Sequence, residues 1–360
     1  MGAVVTPVTF FRGPMLRKRT TASRLAVLAL TTVVASACAD AVDPLSVAPT
    51  GPLATKGHSA FTHPAGVLSQ TVPLGGTWGI ALTSTGIVVA AQPGYSTIGG
   101  FALSDPNTLR PTLAVDGWPL DVIVNAKGTL AYVSSGITGN IDVIDIKSNT
   151  KTDTIALAPN IDRLRLSPKE TRIYATTLDG RLWSAPLKGG KKVKASIDLT
   201  NPWNNVNGGA IAPSGSDLYA SSTAGYVWRL DPETLEIRAS AALPWNVQDI
   251  AVSPDGSALW AAAENGAVLR LDPMTLAVTA TIPVGFGFGG PFGLAISPDG
   301  ARVYAAASQS GTIYIISEPT ANTFDVSSIF VGGDPRRIAF SADGATAVVS
   351  NDYAGVHIIQ

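Results

Sequence analysis

The chain is predicted to be all-β, and three observations carry that prediction. One short phrase recurs seven times. Its plainest copies are Ser253-Pro254-Asp255-Gly256 and Ser297-Pro298-Asp299-Gly300, each preceded by an apolar run and followed four residues later by Trp260 or Tyr304. Degenerate copies end at Gly86, Gly128, Glu170, Gly215 and Gly344. The steps between anchors are 42, 42, 45, 41, 44 and 44 residues, and a period of that order with strand patterning in each unit marks a β-propeller blade. Composition agrees: 46% hydrophobic, 14% charged, 36 Gly and 25 Pro suit strands buried on both faces and joined by tight turns. A chain of 360 residues would ordinarily hold two or three domains. Here a single blade cannot bury its own faces, so the repeats belong to one ring.

The N-terminal element reads as an export signal. Arg17, Lys18, Arg19 and Arg24 precede the apolar run Leu25 to Val34, then Ala35-Ser36-Ala37-Cys38. A basic region, a short apolar stretch and small residues before a cut site describe residues 1–37 as a signal peptide. Met15, just ahead of the basic cluster, is an alternative start. Cys38 is the only cysteine, so it forms no disulfide within the chain. Its setting resembles a bacterial lipobox, which implies lipidation of Cys38 and a membrane-anchored lipoprotein of the cell envelope. An ordinary signal-peptidase site with an incidental cysteine is the other reading. Residues 38–65, rich in Pro, Ala, Ser and Thr, read as a flexible tether.

Residues 66–360 hold the repeats, each read as four antiparallel strands. In the sixth unit these are Phe292 to Ser297, Arg302 to Ala307, Thr312 to Ser317 and Phe324 to Val331. Pro-Asp-Gly supplies the turn after the first strand, with Pro presetting φ and Gly accepting a positive one. Asp231-Pro232 and Asp272-Pro273 mark a second turn, before the outermost strand. The last unit has only three strands, Arg337 to Phe340, Ala345 to Ser350 and Val356 to Ile359. An unused strand, Val67 to Gly75, lies at the start. Pairing the two completes the seventh blade and removes an exposed edge.

The stretches Ile250 to Trp260, Leu294 to Tyr304 and Ile338 to Val348 resemble the repeats of the YVTN family of seven-bladed propellers, and the resemblance extends over residues 67–360. It implies the fold and leaves function open, since related propellers include lactonases, quinoprotein-like dehydrogenases, lyases and binding scaffolds.

Candidate site residues sit where each innermost strand begins. Trp78, Trp118, Trp203, Trp245 and Phe292 place aromatic rings in the loops entering five blades. Seven residues before the anchors stand Gly79, Asp121, Arg163, Gly208, Asp249, Gly293 and Arg337. One position earlier stand Trp78, Leu120, Asp162, Asn207, Gln248, Phe292 and Arg336. Rings with a few charged and amide groups suit a channel mouth that binds a polar ligand. Alternatively, the rings wedge between blades and the charges pair with one another. Asp121, Asn207 and Asp249, with Asp162, could offer oxygens to Ca²⁺, as the lactonase resemblance implies.

Other signals argue against particular chemistries. Net charge is −1, which gives no field to draw nucleic acid. Of three histidines, His58 and His63 fall in the tether, and only His357 lies in the repeats, expected to face solvent or a neighbouring blade. Catalysis by several histidines is therefore disfavoured, and no nucleophile elbow is present. Gly285 to Gly290 spells Gly-x-Gly-x-x-Gly, but a strand follows rather than a helix, so it reads as a loop in which Phe286 or Phe288 covers the mouth. Lys188, Lys191, Lys192 and Lys194 read as a solvated hairpin turn. The preferred reading is a binding module that needs no cofactor. It would take a protein, peptide or glycan of the envelope and touch the membrane only through its anchor. A calcium-dependent lactonase-type hydrolase and a quinoprotein-like dehydrogenase are the alternatives.

Overall fold

Seven antiparallel sheets stand in a ring in the computed structural model, which describes residues 66–187, 195–199, 205–285 and 290–360. The export signal, Cys38, the tether, Trp203, Phe286, Phe288 and the lysine cluster lie outside the described residues. Blade 1 runs outward through Ile80–Leu82, Ile87–Gln92, Thr97–Ala102 and Asp105–Leu109. Its outer strand breaks around Pro111 and resumes at Leu113–Ala114 on the same partner, because proline has no N–H for the ladder. Innermost and outermost strands of the next blades are Val122–Val124 and Thr150–Ala156 in blade 2, and Ile161–Leu166 and Ala195–Asp198 in blade 3. Blade 4 spans Val206–Ile211 to Ile237–Ala242, blade 5 Val247–Val252 to Val278–Pro283, and blade 6 Pro291–Ile296 to Thr323–Phe330. A 3₁₀ turn at Pro93–Tyr95 is the one helical piece among the described residues. The molecule is a seven-bladed β-propeller.

Blade 7 closes the ring as the sequence predicts. Pro335–Phe340, Ala347–Asn351 and Gly355–Ile359 are joined on the outside by Leu68–Val72. Thr71 pairs with His357 and Val72 with Val356, and Val67 and Gln360 exchange two backbone hydrogen bonds of 3.0 Å. Of the two placements expected for His357, solvent is overturned: it is 1% exposed, held between Thr71 and Asn351 of its own blade. Its cross-strand partner Val349 and its same-face neighbour Ile359 pack in the cluster shared with blade 6.

The repeated phrase acts through its serine as well as its proline and glycine. Ser253 Oγ donates to Asp255 Oδ1 at 2.6 Å and accepts the N–H of Ala258 at 2.9 Å. Ser297 and Ser341 do the same in blades 6 and 7. Gly256 takes a φ of 76°, where a side chain would be strained. Blade 3 has Glu170 at that position with φ 51°, and its carboxylate caps the N–H of Ala126 in blade 2. Each turn also rests on its neighbour: a methyl on Gly300 would lie 3.4 Å from Pro254, and one on Gly215 would lie 3.5 Å from Pro168. The period therefore records contacts between blades as well as turns within them.

Seven apolar clusters fill the ring, one between each pair of neighbouring blades. Ile141 of blade 2 meets Ile161 and Leu164 of blade 3, all fully buried, and each such side chain contributes about 1.5–3 kcal/mol. Tyr304, from the phrase in blade 6, packs edge-on against Phe340 of blade 7 at 4.9 Å. Most of the side-chain surface of the inner strands is consumed this way.

Candidate functional site

The innermost strands of blades 3 to 7 begin with a β-bulge. The ladder skips a residue between Ile161 and Arg163, Val206 and Gly208, Val247 and Asp249, and Pro291 and Gly293. In blade 7 it skips both arginines between Pro335 and Ile338. Blade 1 is similar: Ala91 accepts from the N–H of Trp78 and donates to the carbonyl of Gly79, both at 2.9 Å. Consecutive strand residues normally point to opposite faces, and a bulge re-aims one of them. Two successive residues per blade can then serve the channel, forming two storeys.

The lower storey is an ionic plug. Asp249 binds Arg163 from two blades away and lies 3.7 Å from Arg337 and 3.9 Å from Arg165. Asp121 lies 3.9 Å from Arg163 and 3.7 Å from Arg165. Both aspartates also brace the next blade, Asp121 accepting the N–H of Leu164 at 2.9 Å and Asp249 that of Leu294 at 3.0 Å. Glycines between them make the reach possible. A Cβ on Gly79 would lie 2.6 Å from the Cα of Asp121, one on Gly208 would strike Ser221 Oγ, and one on Gly293 would fall on the carbonyl of Arg336. The charges therefore pair with one another at this level, as one of the two sequence readings holds.

Asp162 is the exception. It is 5% exposed and makes neither a hydrogen bond nor an ion pair among the described residues. Burial pushes its carboxyl up to about 6 against the pull of Arg337 and Arg163. Beside the plug, Asn207 Oδ1 is buried without a hydrogen-bond partner among the described residues.

The upper storey has two halves. On blades 2, 1, 7 and 6 the side chains form a stack. Trp118 tilts against Trp78 at 6.3 Å, and the Arg336 guanidinium lies 4.5 Å from the Trp78 ring and 4.8 Å from that of Phe292. Arg337 adds a second guanidinium 4.7 Å from Phe292. Asp334 and Asp352 hold the edge of Arg336 at 2.6 and 3.4 Å. On blades 4 and 5 a directed amide chain runs instead. Asn207 Nδ2 donates to Gln248 Oε1 at 2.9 Å, Gln248 Nε2 donates to Glu264 Oε1, and Asn246 Nδ2 donates to Glu264 Oε2 at 2.6 Å. Where the halves meet, a cavity of about 240 Å³ opens between blades 5, 6 and 7. Gln248, Glu264, Phe292, Gln309, Asp334 and Arg336 are among its walls.

The predicted aromatics thus divide. Trp78, Trp118 and Phe292 come together around Arg336, with Trp118 39% exposed and at a left-handed φ of 60°. Trp245 instead packs into the cluster between blades 4 and 5. Glu264, Asp352 and Gln309 were missed by the sequence reading because they lie on turns away from the strand beginnings, and Asp334, one residue before Pro335–Phe340, was missed because it falls outside the seven- and eight-residue spacing. The loops between second and third strands face the same way, a signal that could have found Glu264, Gln309 and Asp352. Of the expected calcium donors, Asp121 and Asp249 are engaged by arginines, whereas Asp162 and the Asn207 Oδ1 have no hydrogen-bond or ion-pair partner among the described residues. Among the described residues no three acidic, histidine or cysteine side chains gather as a metal site.

No protein-family model matches the chain, and no curated protein matches it. Many solved structures share its fold. A Kuenenia stuttgartiensis hydrazine synthase chain is 17% identical with a TM-score of 0.71, over 84% of this chain and 99% of that one. A chain of a mitotic checkpoint complex is 16% identical with a TM-score of 0.71, over 92% and 99%. The Myceliophteria thermophila Cps50 (Swd1) β-propeller domain is 13% identical with a TM-score of 0.69, over 81% and 98%. At such identities the likeness concerns the fold.

Proposed function

We propose that this chain is an exported, lipid-tethered propeller of the bacterial cell envelope that works as a binding module, taking its partner at the channel mouth. The observation that carries the reading is the cavity between blades 5, 6 and 7, set beside a stack that leaves Trp118 partly open to solvent. Tyr95, Ile137 and Tyr353 are exposed on turns of blades 1, 2 and 7. A methyl on Gly76 or Gly117, in the loops entering blades 1 and 2, would touch Tyr95 or Ile137 at 3.2 and 3.6 Å, so the apolar surface continues from the mouth. Propellers also serve inside larger assemblies, as the mitotic checkpoint complex illustrates for its own chain. The basic and apolar segments before Cys38 support export, and the lone cysteine supports the anchor.

Capture from envelope extract by the full chain tests the mouth. Trp118→Ala should abolish capture with the melting temperature nearly unchanged, whereas Trp245→Ala should lower the melting temperature and spare capture. Undiminished capture by the Trp118 variant would refute the reading. Mass measurement of the mature N-terminus tests the anchor, and an unmodified Cys38 eliminates it.

A further inference from the structure

The geometry points to a neutral, polyhydroxylated ligand of saccharide-residue size in the cavity between blades 5, 6 and 7. This deepens the mouth reading and rests on it. Four features select that chemistry. First, five of the eight wall residues present planar polar groups, with amides from Gln248 and Gln309, carboxylates from Glu264 and Asp334, and the Arg336 guanidinium. Such groups accept from and donate to hydroxyls in pairs. Second, the amide orientations are set in advance. Asn207 donates to Gln248 and Gln248 to Glu264, so the Gln248 oxygen is occupied and its second N–H is available. Glu264 receives two amide N–H groups and has no basic partner among the described residues, so lone pairs remain for a ligand hydroxyl.

Third, charge disfavours an anion, and the aromatic faces a cation would use are already taken. An anion would meet Glu264 and Asp334. A cation would meet Arg336, whose guanidinium already occupies the Trp78 and Phe292 rings an ammonium would need. Fourth, Phe292 is the only aromatic wall among the described residues, and guanidinium groups lie over its ring. An apolar ligand would therefore leave carboxylates and amides desolvated without partners, at a penalty polar hydroxyls avoid. Ser308 and Gly290 complete the wall; Gly290 lies so close to blade 5 that a Cβ would sit 2.7 Å from the carbonyl of Glu264. That approach holds the loop backbone against the acid.

Isothermal titration of the full chain with glucose, galactose, N-acetylglucosamine and their β-1,4-linked dimers tests the assignment. Saturable binding of at least one is expected. Glu264→Gln should weaken it about tenfold or more, the worth of a hydrogen bond to a charged acceptor, with the melting temperature preserved. Gln309→Ala, on an exposed turn that tolerates truncation, should weaken the same sugar. The assignment is overturned if no neutral sugar binds, if both variants bind like the parent, or if glucuronate, ethanolamine or an N-acetylated dipeptide binds more tightly than every neutral sugar. Envelope capture separates the two levels. Loss of sugar binding with capture still sensitive to Trp118→Ala removes the saccharide and keeps the mouth; failure of both removes both.

Discussion

His357 holds the closing strand through hydrogen bonds that only a neutral imidazole can make. Asn351 Oδ1 accepts the N–H groups of Asp334, Tyr353 and Ala354 at 2.9, 3.1 and 3.0 Å, which forces its Nδ2 toward Gly332 O and His357 Nε2. Nε2 is therefore an acceptor, and Nδ1–H donates to Thr71 Oγ1 at 2.9 Å on the N-terminal strand. Protonation would set one N–H against another, and burial already pushes the imidazole from 6.5 down to about 4. A depressed imidazole pKa means the folded state takes its proton only after the unfolded chain has done so. The contribution is whole above pH 6.5 and is lost as the pH falls to about 4, a total of about 3 kcal/mol at about 1.4 kcal/mol per pH unit. Asp162 works in the opposite sense. Its carboxyl is raised from 3.8 to about 6, so it favours the folded state increasingly as the pH drops through the same window. The parent's stability curve alone therefore mixes two opposed effects. Urea unfolding of the parent and His357→Gln at about pH 7.5 and about pH 4.5 isolates the histidine. The parent should lose about 2–3 kcal/mol more than the variant on acidification. Equal losses would mean the closing strand is indifferent to the imidazole, and the latch would be wrong.

Three further outcomes follow from the plug and the closure. Asp249→Ala leaves Arg163 and Arg337 buried without their carboxylate and frees the Leu294 N–H, so denaturant titration should show a loss of about 3–5 kcal/mol. Gly293→Ala drives a methyl onto the carbonyl of Arg336 and should cost about 1–3 kcal/mol, while Gly75→Ala, with nothing within 4 Å, should melt within a degree or two of the parent. Deleting the residues up to Val72 bares the edge of Gly355–Ile359, and light scattering should report concentration-dependent self-association that the intact chain lacks.

Turn chemistry and period are properties of neighbouring residues, so the sequence alone determined the blade count, the positions of the strands and the pairing of Leu68–Val72 with the C-terminus. A serine that caps an amide five residues on, or a glycine at φ 76°, carries its geometry wherever the chain goes. It also marked the positions seven residues before the anchors, where Asp121, Arg163, Asp249 and Arg337 come together, though not Arg165, which joins them from five residues before Glu170. Only the tertiary structure decided what those positions do. Arg163 meets Asp249 across a blade because Gly208 stands between them without a side chain, a relation set by ring curvature rather than spacing. Trp118 and Trp245 occupy like places in the repeat, yet one packs against Trp78 and the other fills a seam between blades. His357 looked like an ordinary strand residue until Thr71, 286 positions away, was seen to complete its hydrogen bonds. Contacts of that range arise only when the ring closes, because closure brings together groups that no local pattern relates.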